Sequence, residues 1–146
     1  MGWEGVGYAT RIEGKMYAQL YTDILGDELL KSLKWFGLNV EEVYFQQDND
    51  PKHTSKLAKK WFKNQGFKIL LWPAQSPDLN PIEHLWNYHK KRLNEYEIPP
   101  KGLHELLDRV EKEWEAIPKD VVQNLIASMP RRCAAVVKAK GGHTKY

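Results

Sequence analysis

Val43-Tyr44-Phe45-Gln46-Gln47-Asp48-Asn49-Asp50-Pro51-Lys52-His53-Thr54 opens with three strand-forming residues and ends in a cluster of turn formers. It reads as a short buried strand that stops just before an acid, which sets Asp48 at the strand's end. Further on, His53-Thr54-Ser55 can cap a helix from Lys56 to Asn64. Leu57, Ala58, Trp61 and Phe62 share one stripe of that helix, and Lys56, Lys59, Lys60 and Lys63 face outward. Gly66 closes the helix, and Phe67 to Trp72 reads as a second buried strand. Strands that feed helices through short connections predict an α/β domain, a short central sheet flanked by helices.

The flanking sequence extends this pattern in both directions. Gly2 to Ile12 reads as strand, turn, strand, the tail of a sheet. Residues 15–36 carry Tyr17, Leu20, Tyr21, Ile24, Leu29, Leu33 and Phe36 near helical spacing, with Gly26 as a break between two helical pieces and Gly37 as the stop. Pro73 to Pro81 is a loop of turn residues. After it, Ile82, Leu85, Trp86, His89, Leu93 and Tyr96 form the inner face of a helix whose outer face shows Glu83, Asn87, Lys90 and Lys91. Beyond Pro99-Pro100, two more helices are expected at 102–116 and 119–138, the second begun by Pro118. Two or three strands make a small sheet, so further strands are expected to be missing at the N-terminal end.

With 146 residues and 42% hydrophobic side chains, the chain fits one domain, 1–146. A lone cysteine, Cys133, matches no metal or redox spacing, which points to a reducing intracellular compartment. Neither a signal peptide nor an apolar run of ~20 residues is present, so a soluble chain with no membrane span is expected. Residues 1–47 carry 4 basic and 7 acidic side chains, residues 48–93 carry 9 and 4, and residues 94–146 carry 9 and 8. The positive excess sits in the segment that holds the acids of interest, where a polyanionic substrate would lie. A solvated helix face accounts for the same count.

A second dense motif follows Asp48 after 34 intervening residues: Ser76-Pro77-Asp78-Leu79-Asn80-Pro81-Ile82-Glu83-His84-Leu85-Trp86, with Glu83 in the first turn of a helix. Two carboxylates on rigid elements suit Mg²⁺ or Mn²⁺, and a pair of such ions serves phosphodiester cleavage and strand transfer on DNA. Such a site normally takes three carboxylates, and this chain offers two. Local alternatives stand beside this reading. Asn80, Pro81 and Glu83 form a capping-box arrangement, and Asp48 lies among turn formers. Asp50 is a supporting carboxylate, and His53 can orient a water, a phosphate or a neighbouring acid. Lys52, Lys56, Lys59, Lys60, Lys90 and Lys91 can contact phosphates. Trp61, Phe62, Trp72 and Trp86 are most simply core residues, and His84 and His89 face the core or its edge. His104 and His143 lack partners at zinc-site spacing.

Gln47-Asp48-Asn49-Asp50-Pro51-Lys52-His53-Thr54, the 34-residue gap and Ser76 to Trp86 together resemble the mariner-superfamily DDE transposases, in the branch whose third acid is Glu. The resemblance spans the chain from Trp3-Glu4-Gly5 to the closing Lys145-Tyr146 and weighs against the local alternatives. It implies a ribonuclease H-like fold, two Mg²⁺ or Mn²⁺ ions, and cut-and-paste movement of DNA in the nucleus by an assembled transposase, commonly a homodimer. By matching motif, Asp48 is the second acid and Glu83 the third, as catalytic residues and metal ligands. The family's first Asp lies on the first strand, further upstream than the 47 residues that precede Asp48, and its paired helix-turn-helix modules lie further upstream still. Asp23 and Asp27 sit in a predicted helix and Glu13 near a turn, so none is a natural replacement. The expectation is therefore an N-terminally truncated catalytic domain, weak or inactive alone. The alternative is a non-catalytic, host-retained remnant that binds DNA or protein partners. Missing strands would leave an exposed sheet edge, which favours pairing with another copy.

Overall fold

The computed structural model describes residues 1–146. They divide into two compact units, Gly7–Gln75 and a second made of Met1–Val6 with Ser76–Tyr146.

In Gly7–Gln75, helix α1 (Ala18–Ile24) runs through a π-helical turn (Leu25–Leu29) into α2 (Leu30–Phe36), which Gly37 ends in the left-handed conformation at φ 67°. Gly26 does not break the helix. Its cost of about 1 kcal/mol is offset by burial of Tyr21, Leu25 and Leu33 in one core with Ala58, Phe62 and Phe67. After a 3₁₀ turn (Val40–Glu42) come β1 (Tyr44–Phe45), α3 (Lys56–Gln65) and β2 (Lys68–Ile69). The strands pair in parallel, Tyr44 with Lys68 and Phe45 with Ile69, so α3 is the crossover of a βαβ unit. Ser55 caps α3 by accepting from the Ala58 N–H at 3.1 Å, and Gly66 closes it at φ 81°.

Neither strand is buried as its sequence predicts. Val43 and Phe45 pack on the core while Tyr44 turns outward beneath the Lys68 ammonium, 5.5 Å from its ring centre. A two-stranded sheet has one packed face, so its side chains alternate between core and solvent. Phe67 is buried, but Leu71 is fully exposed. The expected hairpin over Gly2–Ile12 is also absent: a single antiparallel bridge joins Gly2 and Gly5, and no strand follows. Isolated two-stranded ribbons are marginal in water, and three glycines within six residues add backbone entropy to the cost.

The second unit is helical: α4 (Pro81–Asn94), α5 (Leu103–Glu115), α6 (Lys119–Ala127) and α7 (Met129–Lys138). Leu85 of α4 and Val122 of α6 are fully buried beside Trp114 and Ile117. The single helix expected over 119–138 is two helices, broken at Ser128. Pro130 lies in the first turn of α7, where its missing N–H and its ring clash with the preceding turn stop α6 from continuing. Trp86, expected in the core, is 47% exposed and stacks on Trp114 at 4.9 Å. No helix is long and apolar enough to cross a membrane.

Candidate functional site

Asp48 lies three residues past β1, in a segment without regular structure, and its side chain is 61% exposed. Its Oδ1 accepts from the Asp50 backbone N–H at 3.1 Å and from the His53 ring Nδ1 at 2.6 Å, leaving Oδ2 outside both contacts. Burial works to raise the Asp48 carboxyl pKa. The Asp50 N–H, the His53 hydrogen bond and the His53 charge outweigh it and hold the group below its ordinary value. Of the three groups His53 was expected to meet, the structure shows a neighbouring acid, Asp48, in hydrogen-bond contact with it. Asp50 behaves differently. Its Oδ2 meets the Lys52 ammonium at 2.5 Å and its Oδ1 accepts from the Lys52 N–H at 3.0 Å, so Lys52 engages both oxygens and lowers its pKa. Asp50 and Lys52 therefore serve each other before any outside ligand.

Behind His53 stand buried Tyr21, which no motif includes, and half-buried Gln47. The Tyr21 ring lies 4.4 Å from the His53 ring, and the Tyr21 hydroxyl donates to Gln47 Oε1 at 2.5 Å. Gln47 in turn donates from Nε2 to the His53 carbonyl at 3.2 Å. Burial, reinforced by the negative charge of Asp48, pushes the Tyr21 phenol well above its usual range, so the hydroxyl keeps its proton. On the other flank, Asn49 donates to the Trp72 carbonyl at 2.9 Å. An open groove of about 550 Å³ borders Asp48, Lys59, Lys63, Phe62 and Trp72.

Glu83 belongs to the other unit, in the first turn of α4. Asn80 caps this helix through its side chain, which accepts from the Ile82 N–H at 3.4 Å, and Pro81 occupies the first turn. The reciprocal half of the capping box, a Glu83 carboxylate returned to the Asn80 backbone, does not form. Glu83 is exposed with its carboxylate in no ion pair. The turn before it, Pro77–Leu79, is pinned from α7: buried Arg132 donates from Nη1 to the Asp78 carbonyl at 2.9 Å and from Nε to Ser128 Oγ at 2.7 Å. Asp78 Oδ2 also accepts from Thr144 at 2.9 Å, and the Tyr146 ring lies 4.9 Å from the Arg132 guanidinium. His84 is pushed below its ordinary pKa by burial and then by Arg132, against a smaller pull from Glu83. His89 is buried, its Nε2 donating to the Val110 carbonyl at 2.9 Å.

Lys56, Lys59 and Lys60 are exposed on α3 and Lys90 and Lys91 on α4, none of them in an ion pair. Lys90 and Lys91 border an open groove of about 710 Å³ with His84, Asn87, Asn94 and Asn124. For a divalent cation the donor chemistry fits. Asp48 offers an ionised carboxylate with one uncommitted oxygen, and Glu83 offers an unpaired one, the oxygen ligands that hard cations take. Neither half by itself gathers three ligating side chains.

The sequence profile described as DDE superfamily endonuclease matches residues 9–106. The Tcb1 transposable-element transposase of Caenorhabditis briggsae is 44% identical over 142 residues, 97% of this chain and 50% of that protein. The Tc1 transposase of Caenorhabditis elegans is 51% identical over 102 residues, 70% of this chain and 37% of that protein. The chain thus spans about half the length, or less, of the curated relatives it matches. Among solved structures, the crystal structure of the Mos1 mariner transposase catalytic domain aligns at TM-score 0.85 and 21% identity, covering 99% of this chain and 73% of that one. The Mos1 paired-end complex with Mn aligns at TM-score 0.86 and 22% identity, covering 98% of this chain and 43% of that one.

Proposed function

This chain belongs to the DDE superfamily of endonucleases, among the Tc1/mariner transposases and with their ribonuclease H-like fold, and from that premise we propose that it is a partial transposase catalytic domain. Its chemistry is metal-dependent DNA cleavage and strand transfer: water attacks a phosphodiester, and the freed 3′-hydroxyl then attacks target DNA. Bound Mg²⁺ or Mn²⁺ would supply charge stabilisation and a water of lowered pKa. Asp48 and Glu83 would hold the ions through carboxylate oxygens, while His53 keeps Asp48 in one orientation. Lys56, Lys59, Lys60, Lys90 and Lys91 would bind the phosphates, Lys52 less so because Asp50 already neutralises it. Transposon ends and target DNA are the substrates, copies of the chain pair on them, and the nucleus is the compartment.

The observation that carries this reading is the pair of carboxylates the chain keeps uncommitted, Asp48 Oδ2 and Glu83, on the two motifs that define the family resemblance. Two carboxylates fall short of a full set, so this chain alone is expected to nick supercoiled plasmid in Mn²⁺ weakly or not at all. Joined behind the part of the Caenorhabditis briggsae Tcb1 relative that it does not match, it should nick, and Asp48→Ala or Glu83→Ala should each return nicking to background. Nicking that survives both substitutions would refute the site assignment. Strong nicking by the chain alone would refute its incompleteness. The unpaired lysines also support a second reading, a non-catalytic remnant that binds DNA. DNA binding without nicking by the joined protein would favour it.

A further inference from the structure

The proposed ligand Asp48 is largely exposed and lies outside any helix or strand, yet a metal ligand has to be held in one direction. Its two hydrogen-bond donors are the Asp50 N–H and the His53 ring. The first is local and turn-like, and such an Asx contact moves with its own loop. The second depends on what holds His53, a side chain that is only 18% exposed. His53 is held from behind by two side chains: the Tyr21 ring, which no motif includes, tilted against it, and the Gln47 amide fastened to its carbonyl. Both lead back to one buried side chain.

We propose that Tyr21 is a positioning residue for Asp48: its ring backs the His53 imidazole, its hydroxyl fixes Gln47, and through these two it sets the direction of the Asp48 carboxylate. The inference rests on the reading of Asp48 as a metal ligand. The geometry is directional. The His53 carbonyl can only accept, so it takes the Gln47 Nε2 and turns Oε1 the other way, where the Tyr21 hydroxyl donates to it and holds the amide at both ends. The His53 ring is then held between an aromatic face and a carboxylate, with its Nδ1 proton directed at Asp48 Oδ1. Tyr21 is itself anchored, because α1 packs on α3 and Tyr21 is part of the core with Leu25, Ala58 and Phe62. The core of this unit thereby reaches the exposed carboxylate through three side chains.

Tyr21→Phe keeps the ring and the volume and removes only the hydroxyl. In the wild-type protein the His53 Nδ1–H should give a downfield proton resonance protected from exchange with water. In Tyr21→Phe that exchange should quicken about five- to ten-fold, the equilibrium factor for losing one ordinary buried hydrogen bond. Exchange of the Phe62 amide in α3 should not change, and Gln47→Ala should give the same acceleration, with no further gain in the double variant. Mn²⁺ affinity, read by titration calorimetry, should weaken about ten-fold in Tyr21→Phe, as it does when a second layer behind a ligand is removed. Unchanged His53 exchange, additive effects of the two substitutions, or an equal acceleration at Phe62 would each overturn the proposal. If Asp48→Ala leaves Mn²⁺ binding intact, the metal-ligand reading falls, while the His53 exchange still decides whether Tyr21 positions Asp48.

Discussion

A carboxylate that holds a hard cation must be ionised at working pH, and at Asp48 the structure resolves the competition. Burial raises the pKa, but two hydrogen bonds to one oxygen and a neighbouring imidazole lower it further than burial lifts it. A depressed folded-state pKa contributes stability that is fully present above the unfolded value of 3.8 and is lost as pH falls through the lower folded value. The variant Asp48→Asn lacks this contribution at every pH. Its urea midpoint should therefore lie below wild type at pH 5, and the two midpoints should converge as the pH drops below the unfolded value; a gap that widens on acidification would contradict the assignment. Asp48 and His53 were legible from sequence because they share one motif, five residues apart. Tyr21 was not, because its phenol reaches Gln47 from 26 residues away, and in sequence it is one more apolar position on a helical stripe.

At the scale of elements, the aim of Glu83 depends on how α4 begins, and α4 begins from a turn that α7 holds in place. Arg132 is 2% exposed, and its guanidinium bonds to the Asp78 carbonyl and Ser128 Oγ. Charged hydrogen bonds of this kind contribute about 1.5–3 kcal/mol each, so losing both in Arg132→Ala should cost about 3 kcal/mol or more in urea unfolding. The adjacent Arg131 is exposed, and Arg131→Ala should stay within about 0.5 kcal/mol; equal costs at the two positions would show that the clasp contributes nothing. Sequence could not separate these arginines, since which one turns inward depends on the helix phase after Ser128, where α6 ends and α7 begins. By contrast the helix of the βαβ segment was read to within a residue, while its second strand is two residues long where six were expected. Its helix carries its own Ser55 cap, its own glycine stop and an apolar stripe, whereas strand burial depends on which other elements cover the sheet.

At the scale of the whole molecule, the net charge of +3 is small, and what matters for a polyanion is how many cations are uncommitted. The ion pairs of the structure use Lys31, Lys52 and Lys119, but not Lys56, Lys59, Lys60, Lys90 or Lys91. The charge distribution along the sequence located this basic segment, and the structure refines it by removing Lys52, which a neighbour-blind count includes. Each cation that neutralises a phosphate releases a counterion, which steepens the fall of affinity with salt by about 0.9 per contact on B-form DNA. Anisotropy titrations of duplex DNA between about 50 and 200 mM salt should thus show a slope that the triple change Lys56→Ala, Lys59→Ala, Lys60→Ala flattens by about 2–3. Lys52→Ala should flatten it by less than any one of the three, because Asp50 is already its counterion. A triple variant with the wild-type slope would take α3 out of the DNA surface. An effect of Lys52→Ala as large as a single α3 change would mean that the Asp50 pair opens when DNA arrives, freeing a second carboxylate beside Asp48.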